Sequence, residues 1–363
     1  MAVISLDRSL EAIKHFTFKG TPVGCAPYGN GHINDTFIVT TREDFNIYRY
    51  IMQRVNTDVF PDIDAIVSNV SQVTEHLKKT AKDERGVLDL IPTTDGKYLY
   101  RDEDGLCWRA EIYIDNAICL DRPENSKDFY ECGMAFGDFV KRLDDFPAEN
   151  LHEIIKDFHN TEKRYRAFLS AVAKNKVGRV SSVEKEIEFI KERAEFYSLF
   201  AREYESGNLP LRVTHNDTKC NNVMLDGETR TALCVIDLDT IMPGFSVNDF
   251  GDSIRFGANT AAEDEIDLSK VKLDLDLFKA FTDGFIKGSG GILKKTEIML
   301  LPEGAKMMTI ECGMRFLTDY LQGDTYFKTS YSDHNLVRCR TQLKLVKEME
   351  ENWQTLKNIV SKY

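Results

Sequence analysis

The chain has 363 residues, of which 42% are hydrophobic and 10% aromatic, so it is long enough to form two globular lobes. Its formal net charge of −12 argues against nucleic-acid binding and against docking on anionic lipid, since either function usually needs a basic surface. No Cys-x-x-Cys pair, signal-peptide segment or membrane-spanning apolar run occurs, so we expect a cytoplasmic protein with reduced cysteines.

The first candidate binding segment is a glycine-containing turn that leads into a β-strand. Residues 28–37 read Tyr-Gly-Asn-Gly-His-Ile-Asn-Asp-Thr-Phe. Glycines let backbone N–H groups approach phosphate oxygens closely, so this turn is a candidate nucleotide site. The candidate nucleotide contacts are Gly29, Asn30, Gly31 and Asn34. The neighbouring His32 is either a substrate contact or a plain turn residue.

The pattern after this turn predicts an antiparallel sheet with one helix. Runs of β-branched and aromatic residues are separated by polar or glycine-containing turns. The predicted strands are residues 37–40, 47–55, 98–100 and 107–114. Apolar residues at helical spacing predict one helix over residues 63–77, after Pro61-Asp62. We therefore expect a first lobe over residues 1–117 that is mostly β-sheet.

The pattern becomes helical after about residue 120, which predicts a second, mainly helical lobe over residues 118–363. Apolar faces at helical spacing cover residues 129–143, 183–197, 307–321 and 336–359. A short hairpin interrupts them, with strands at residues 222–225 and 231–236 around the turn Asp226-Gly227, and a further strand at 211–214 precedes it. The predicted fold class is thus α+β with two lobes.

The residues that most clearly indicate chemistry lie at 215–239. His215-Asn216-Asp217 is followed five residues later by Asn222, and Asp237 ends the second strand of the hairpin. An enzyme that moves a phosphoryl group from a nucleotide needs one carboxylate near the acceptor hydroxyl, and an amide and a second carboxylate near the metal. Asp217 is therefore the candidate catalytic base, and Asn222 and Asp237 are the candidate Mg²⁺ ligands.

Further acidic residues follow the hairpin, at Asp239, Asp249 and Asp252. Asp249-Phe250-Gly251 resembles the metal-binding triplet of protein kinases, but it lies too far beyond the His-x-Asp loop. We predict instead that Asp249 and Asp252 cap the following helix or brace the loop.

Arg315 lies in an otherwise apolar helical segment, and Tyr326 lies in the loop beyond it. An arginine on such a face either forms a structural ion pair, here with Glu311 or Asp319, or binds a polar substrate through its rigid fork of donors.

Several of these segments resemble the N-acetylhexosamine 1-kinases of the aminoglycoside phosphotransferase and choline kinase superfamily. The resemblance covers residues 20–340, and it is carried by residues 28–34, 53–56, 157–161, 217–225, 247–257 and 333–338. It implies a protein-kinase-like fold and ATP- and Mg²⁺-dependent phosphorylation of the anomeric hydroxyl of N-acetylglucosamine or N-acetylgalactosamine. It also implies that Asp217 is the base, that Asn222 and Asp237 bind Mg²⁺, and that Arg315 and Tyr326 contact the sugar.

One position departs from the kinase pattern. Where kinases place a phosphate-pairing lysine on the third strand, this chain has Met52-Gln53-Arg54. Arg54 is the candidate replacement, with Glu75 as its potential helix partner, but strand alternation lets only one of Gln53 and Arg54 face the cleft.

Two other functions remain open from the sequence. One is a kinase of the same fold that phosphorylates an aminoglycoside, choline or an amino alcohol, for which Glu263-Asp264-Glu265 would form a cation-binding lip. The other is a nucleotide-binding regulator without turnover, which is suggested by the missing lysine and opposed by the presence of Asp217, Asn222 and Asp237.

Overall fold

The first lobe is built on an antiparallel sheet in the computed structural model, which describes residues 6–29, 34–58 and 60–363, with the backbone alone at residue 6. The strands are β1 (Thr21–Pro27), β2 (Asp35–Glu43), β3 (Asn46–Val55), β4 (Tyr100–Arg101) and β5 (Cys107–Ile112). They form a five-stranded sheet in the order β1-β2-β3-β5-β4. The predicted strands are confirmed, although β4 is shorter. The sequence analysis missed β1, an edge strand that is mostly exposed and contains Pro22 and Gly24.

Two helices, α1 (Leu6–Ile13) and α2 (Ile63–Lys78), cover opposite faces of this sheet. Met52 of β3 packs with residues of α1, whereas Val55 packs with residues of α2. Because side chains alternate along a strand, even-numbered residues of β3 face α1 and odd-numbered residues face α2. The predicted helix at 63–77 is confirmed as α2, which begins at Asp62, whose carboxylate accepts the N–H of Ala65 at 3.0 Å.

The second lobe is mainly helical, as predicted. Its helices are α3 (Ser126–Arg142), α4 (Thr161–Lys174), α5 (Glu184–Lys191), α6 (Leu199–Glu205), α7 (Ser246–Gly257), α8 (Leu275–Gly288), α9 (Lys295–Met299), α10 (Leu301–Gln322), α11 (His334–Glu351) and α12 (Trp353–Val360). The predicted helix at 183–197 ends early, at Lys191, and a 3₁₀ turn leads into α6. The predicted helix at 336–359 is split in two at Asn352.

Two small sheets lie beside the helices. Their strands are β6 (Ala117–Cys119), β7 (Arg212–Thr214), β8 (Val223–Asp226), β9 (Ala232–Val235) and β10 (Met242–Gly244). The predicted hairpin is confirmed as β8 and β9, which extend β6, while β7 pairs separately with β10. Residues 215–222 therefore connect two different sheets. The predicted lobe boundary at 117/118 falls within β6, which pairs with the second lobe.

None of the helices in the described part of the chain combines the length and the apolar character that crossing a membrane would need.

Candidate active site

Asp249, near the start of α7, holds the loop that follows β7 in place. The two Asp249 carboxylate oxygens accept the backbone N–H groups of His215 and Asn216, each at 2.8 Å. Asn216 has a left-handed backbone (φ 65°), so this bracing stabilises an unusual conformation. Burial raises the pKa of Asp249 to about 6, opposed mainly by His215. Asp249 thus braces the loop, the second of the two roles predicted for it.

His215 supports the loop from inside the protein. Its ring is fully buried and makes edge contacts with Phe136 and Phe139, at centroid distances of 5.6 and 6.1 Å. Its Nε2 is 2.8 Å from the carbonyl oxygen of Ile236, and its Nδ1 accepts the N–H of Asp217 at 3.3 Å. Both ring nitrogens are therefore occupied, and His215 orients Asp217 without reaching the cleft.

Asp217 is half-buried and is held by two neighbours from the same loop. Asn222 Nδ2 donates to the Asp217 carbonyl at 2.7 Å and to its Oδ2 at 3.2 Å. Lys219 Nζ lies 2.9 and 3.0 Å from the two carboxylate oxygens. Burial lowers the pKa of Lys219, but the charge and hydrogen bond of Asp217, together with the charge of Asp252, outweigh it and the net shift is upward. Lys219 was missed by the sequence analysis, although its position two residues after Asp217 in the same loop was a usable signal.

Asp237 lies directly beyond β9, facing Asp217. Its backbone is left-handed (φ 59°), and the N–H of the preceding Ile236 donates to the Asn222 carbonyl at 2.9 Å. The Asp237 side chain is open to the cleft but surrounded by protein. This enclosure, together with the charges of Asp239 and Asp217, raises the pKa of Asp237 to about 6.

The oxygen atoms of Asn222 and Asp237 suit a hard cation. Asn222 directs its amide nitrogen toward Asp217, which leaves its Oδ1 as an oxygen ligand. In the described residues, no group of three or more His, Cys, Asp or Glu side chains is arranged to hold a metal ion alone. Mg²⁺ needs only one or two protein ligands when substrate phosphates and water complete its coordination shell. Asn222 and Asp237 therefore fit this ion.

Gln53, not Arg54, faces this cleft from the sheet. The Gln53 Oε1 accepts Arg109 Nε at 3.0 Å and Nη2 at 2.7 Å, and Arg109 Nη1 donates to Asp239. Arg54 lies on the opposite face of the sheet, where it pairs with Asp35 at 2.7 Å. The nucleotide role predicted for Arg54 therefore conflicts with its position. Sequence analysis missed Arg109, because only the strand register brings it beside Gln53.

The glycine turn connects β1 to β2, and its described ends lie at the mouth of the cleft. The Asn34 Nδ2 donates to Asp239 at 3.3 Å. Gly29 has a left-handed backbone (φ 72°), which glycine adopts without steric cost. Asn30, Gly31 and His32 lie outside the described residues, so their predicted contacts stay predictions.

Arg315 lies at the other end of the site, on α10. Its guanidinium is 5.5 Å from the ring centres of both Phe158 and Phe327. Neither proposed acidic partner is free for it. Glu311 bonds to His159 at 3.0 Å and Thr161 at 2.5 Å, and Asp319 accepts backbone N–H groups of residues 325–327. Among the described residues, Arg315 has no ion pair and no hydrogen bond.

A second arginine, Arg164, lies near Arg315. Burial and then the charge of Arg315 lower the pKa of Arg164. Its Nη2 donates to the Phe158 carbonyl at 3.1 Å, but its buried Nε has no partner in the described part of the chain, nor has the buried Nε2 of His159. Tyr326 is 72% exposed and makes an edge contact with Phe327, so it lies at the rim of this region.

Electrostatic contacts connect this region to Asp217. The charge of Asp252 helps to raise the pKa of Lys219, and Asp252 binds Arg255 at 2.8 Å. Burial raises the pKa of Cys312 to about 12, and the charges of Arg255 and Arg315 oppose that rise. Charged side chains thus continue from the loop of Asp217, through Asp252 and Arg255, toward Arg315.

Comparison with known proteins identifies the family. The sequence profile of the phosphotransferase enzyme family matches residues 24–270. The chain belongs to this family.

Solved structures show the same fold at low sequence identity. A microcompartment-associated aminopropanol kinase is 13% identical, with a TM-score of 0.60 over 97% of this chain and 99% of that one. Spectinomycin phosphotransferase APH(9)-Ia, solved with ADP and spectinomycin, is 13% identical, with a TM-score of 0.61 over 96% and 99%. Plasmodium vivax ethanolamine kinase is 14% identical, with a TM-score of 0.55 over 88% and 82%. They confirm the predicted two-lobed, kinase-like fold.

The family match covers part of the candidate site residues. Residues 24–270 include the glycine turn, Gln53, Arg109 and the loop at 215–239, but they end before α10. Arg315 and Tyr326 therefore lie outside the matched segment. The family establishes a phosphotransferase.

Proposed function

We propose that this phosphotransferase is a sugar kinase that transfers the γ-phosphoryl group of ATP to the anomeric hydroxyl of N-acetylglucosamine or N-acetylgalactosamine. The products would be the sugar 1-phosphate and ADP. The observation that carries the choice of acceptor is the Arg315 guanidinium, which lies near two aromatic rings and makes no ion pair or hydrogen bond in the described part of the chain.

Charge at the acceptor end favours a neutral, hydroxyl-rich substrate. Asp252 and Glu263 pair with Arg255, while the buried Glu311 binds His159 and Thr161 and its charge acts on Arg164 and Arg315. Two arginines therefore share one nearby carboxylate, and the balance of charge at this end is positive. An ammonium group placed beside them would be repelled, whereas sugar hydroxyls and an acetamido carbonyl accept hydrogen bonds from guanidinium donors.

The charge at this end of the chain differs from what the acceptors of two relatives of the same fold would favour. The relatives named for aminopropanol and ethanolamine act on acceptors that carry an ammonium group. The acidic lip predicted for such a substrate is already engaged, because Glu263 binds Arg255, Asp264 binds His334 and Glu265 binds Lys270. A cationic acceptor therefore has less support here than a neutral sugar.

The catalytic step would depend on the Asp217 carboxylate. It would accept the proton of the anomeric hydroxyl as the oxygen attacks the γ-phosphorus in line and ADP departs. A positioned base adds on the order of 10²–10⁴ in rate. The anomeric hydroxyl is more acidic than an ordinary alcohol, so the base has less to do. Lys219 would keep the carboxylate oriented, since it contacts both oxygens.

Asn222 and Asp237 would hold Mg²⁺, which neutralises phosphate charge when bound. The glycine turn and the cleft face of the sheet would position the nucleotide. Holding the hydroxyl and the phosphoryl group in line is worth roughly 7–11 kcal/mol of the barrier.

The test is to incubate the protein with MgATP and a panel of acceptors and to measure the release of ADP. It should contain both N-acetylhexosamines, their non-acetylated amines, ethanolamine and choline. We expect turnover with the N-acetylhexosamines and a phosphorus NMR signal of a sugar 1-phosphate. The methyl 1-glycoside of N-acetylglucosamine is the matched control, because it lacks the free anomeric hydroxyl and should be inert. Turnover of ethanolamine or choline with silent N-acetylhexosamines would overturn the proposal.

A further inference from the structure

A buried ion pair joins the sheet of the first lobe to the segment that follows Asp237. Arg109 of β5 and Asp239 are only 4% and 3% exposed. Gln53 lies opposite Arg109 in the β3–β5 register, so both side chains leave the same face of the sheet. That face carries the strand position at which kinases place their phosphate-pairing lysine.

The donors of Arg109 are directed at two partners. Its Nε and Nη2 both donate to Gln53 Oε1, and its Nη1 donates to one oxygen of Asp239. The other oxygen of Asp239 accepts Asn34 Nδ2 at 3.3 Å, and Asn34 Oδ1 accepts the N–H of Asn56 at 3.0 Å. Asp239 belongs to the second lobe, so groups of the first lobe hold it from two directions.

Arg109 is also the cation that faces a group of carboxylates. Asp237, Asp239 and Glu111 all interact electrostatically with it. Burying several carboxylates without a cation would be costly, and breaking a buried ion pair leaves its partner uncompensated. The fixed guanidinium therefore allows this carboxylate group to exist beside the cleft.

The backbone at Asp237 gives an independent reason for such a restraint. A left-handed conformation at a residue other than glycine persists only where the surroundings determine it strongly. On one side, Asn222 accepts the N–H of Ile236. On the other side, Asp239 is held two residues later by Arg109. The chain is thereby held on both sides of Asp237.

We propose that Arg109, oriented by Gln53, is a positioning residue that fixes Asp239 and through it the metal-binding Asp237, on the sheet face where kinases carry the third-strand lysine. The kinase lysine contacts phosphate, whereas Arg109 acts through Asp239. This inference rests on the proposed function only in that Asp237 binds the metal of a metal–nucleotide complex. The acceptor does not enter it.

The test compares ADP binding with and without Mg²⁺ by calorimetry, in the absence of any acceptor. Arg109→Met should lose most of the increase in ADP affinity that Mg²⁺ gives the wild type, by tenfold or more. Affinity for metal-free ADP should change less than twofold. A general structural defect would lower this affinity as well. Arg101→Met is the matched control, since Arg101 lies on the neighbouring β4, pairs with the exposed Asp64 and should leave both affinities unchanged.

Gln53→Met provides a second, milder variant, which keeps the ion pair but removes the acceptor that orients it. In this variant, the increase in ADP affinity that Mg²⁺ gives should be about threefold smaller than in the wild type. If Arg109→Met does not fold, this variant alone tests the proposal. Wild-type Mg²⁺ dependence in the folded variants would overturn the proposal by itself. A wild-type chain that binds ADP equally with and without Mg²⁺ would overturn it together with the metal site. An unexpected acceptor would affect only the proposed function.

Discussion

At the scale of single residues, Asp217 gives the sharpest prediction. Asp217→Asn keeps the size of the side chain but removes the carboxylate that would accept the hydroxyl proton. We expect kcat to fall at least about 100-fold, with ADP affinity in the presence of Mg²⁺ unchanged. Steady-state kinetics and calorimetry on the same preparation measure both. A variant that keeps more than about a tenth of wild-type kcat would show that Asp217 is not the base.

Arg315→Ala tests the acceptor end. Because Arg315 has no ion pair with any described residue, its removal should cost little stability but raise the KM of the sugar at least tenfold, which corresponds to about 1.4 kcal/mol. The KM of ATP should stay within twofold. Arg340→Ala on α11 is the matched control, since Arg340 pairs with Glu186 away from the site. If both variants have the same KM values for sugar and ATP and only Arg315→Ala has a lower melting temperature, Arg315 has a structural role and does not bind the sugar.

The brace at Asp249 predicts a pH dependence of stability. Burial raises the pKa of Asp249 from 3.8 to about 6 in the folded chain, so between these values the folded state binds more protons than the unfolded state. Stability from this group is therefore present at low pH and lost as pH rises through about 6. From about pH 5 to about pH 7.5, the free energy of unfolding of wild type minus that of Asp249→Asn should fall by about 1 kcal/mol. A difference that is flat with pH, in urea titrations, would contradict the assignment.

The sequence predicted site residues whose contacts are local in the chain, and it did not predict those whose contacts form between distant segments. Asp217 and Asn222 lie in one short loop, so their spacing predicted that they come together. Arg109 and Gln53 are far apart in the chain and meet only through strand register. For Arg315, the sequence offered Glu311 and Asp319 as partners, and only the structure places both in other hydrogen bonds.

At the scale of elements, the pairing of α3 with α8 depends on glycines. A methyl group on Gly284 would lie 2.1 Å from the Tyr130 carbonyl oxygen, and one on Gly137 would lie 2.3 Å from that of Phe285. Both helices have glycines four residues apart, at 133 and 137 and at 284 and 288. This spacing was a usable signal that the sequence analysis passed over. It allows the two backbones to approach closely.

Gly284→Ala should therefore destabilise the protein by at least about 2 kcal/mol, because a rigid backbone carbonyl stands where the methyl group would go. Chemical denaturation gives this value. The matched control is Gly24→Ala on β1, where the nearest atom to the added methyl group is 3.9 Å away, and its effect should stay within about 0.5 kcal/mol. Similar stabilities for the two variants would mean that α3 and α8 separate at little cost.

Element prediction failed where no strong local signal exists. β1 is an exposed edge strand, and its alternation is interrupted by proline and glycine. The periodic pattern at 183–197 continues across the end of α5, since a 3₁₀ turn keeps apolar residues on the same side. The hydrophobic periodicity therefore predicted the buried side of this segment correctly but predicted too long a helix.

At the scale of the whole molecule, composition and the change from strand to helix pattern were enough to predict two lobes. How the lobes join was not predictable, because the joining contacts are formed by residues distant in sequence. Asn69 of α2 is the clearest example. It is fully buried, its Nδ2 donates to the carbonyls of His152 and Ile241 at 2.9 Å each, and its Oδ1 accepts the N–H of His152 at 2.9 Å.

Asn69→Leu keeps the approximate size of the side chain and leaves the buried carbonyl of Ile241 without this partner, together with the N–H and carbonyl of the exposed His152, which water can reach. An unsatisfied buried group costs about 1–3 kcal/mol, so we expect a loss of at least about 1 kcal/mol. Gln72→Leu is the matched control on the same helix, since Gln72 bonds only to Ser68, and its effect should stay within about 0.5 kcal/mol.

The two lobes can be followed separately in this experiment, because the chain has 2 tryptophans, Trp108 in the first lobe and Trp353 in the second. In a Trp353→Phe background, fluorescence reports the first lobe and far-UV circular dichroism reports mainly the helices of the second. If Asn69 couples the lobes, the two unfolding midpoints coincide with Asn69 present and separate in Asn69→Leu, with the sheet lobe unfolding first because its core is smaller. Coincident midpoints in the Leu variant would mean that other contacts, among them the Arg109–Asp239 ion pair, are enough to unfold the lobes as one unit.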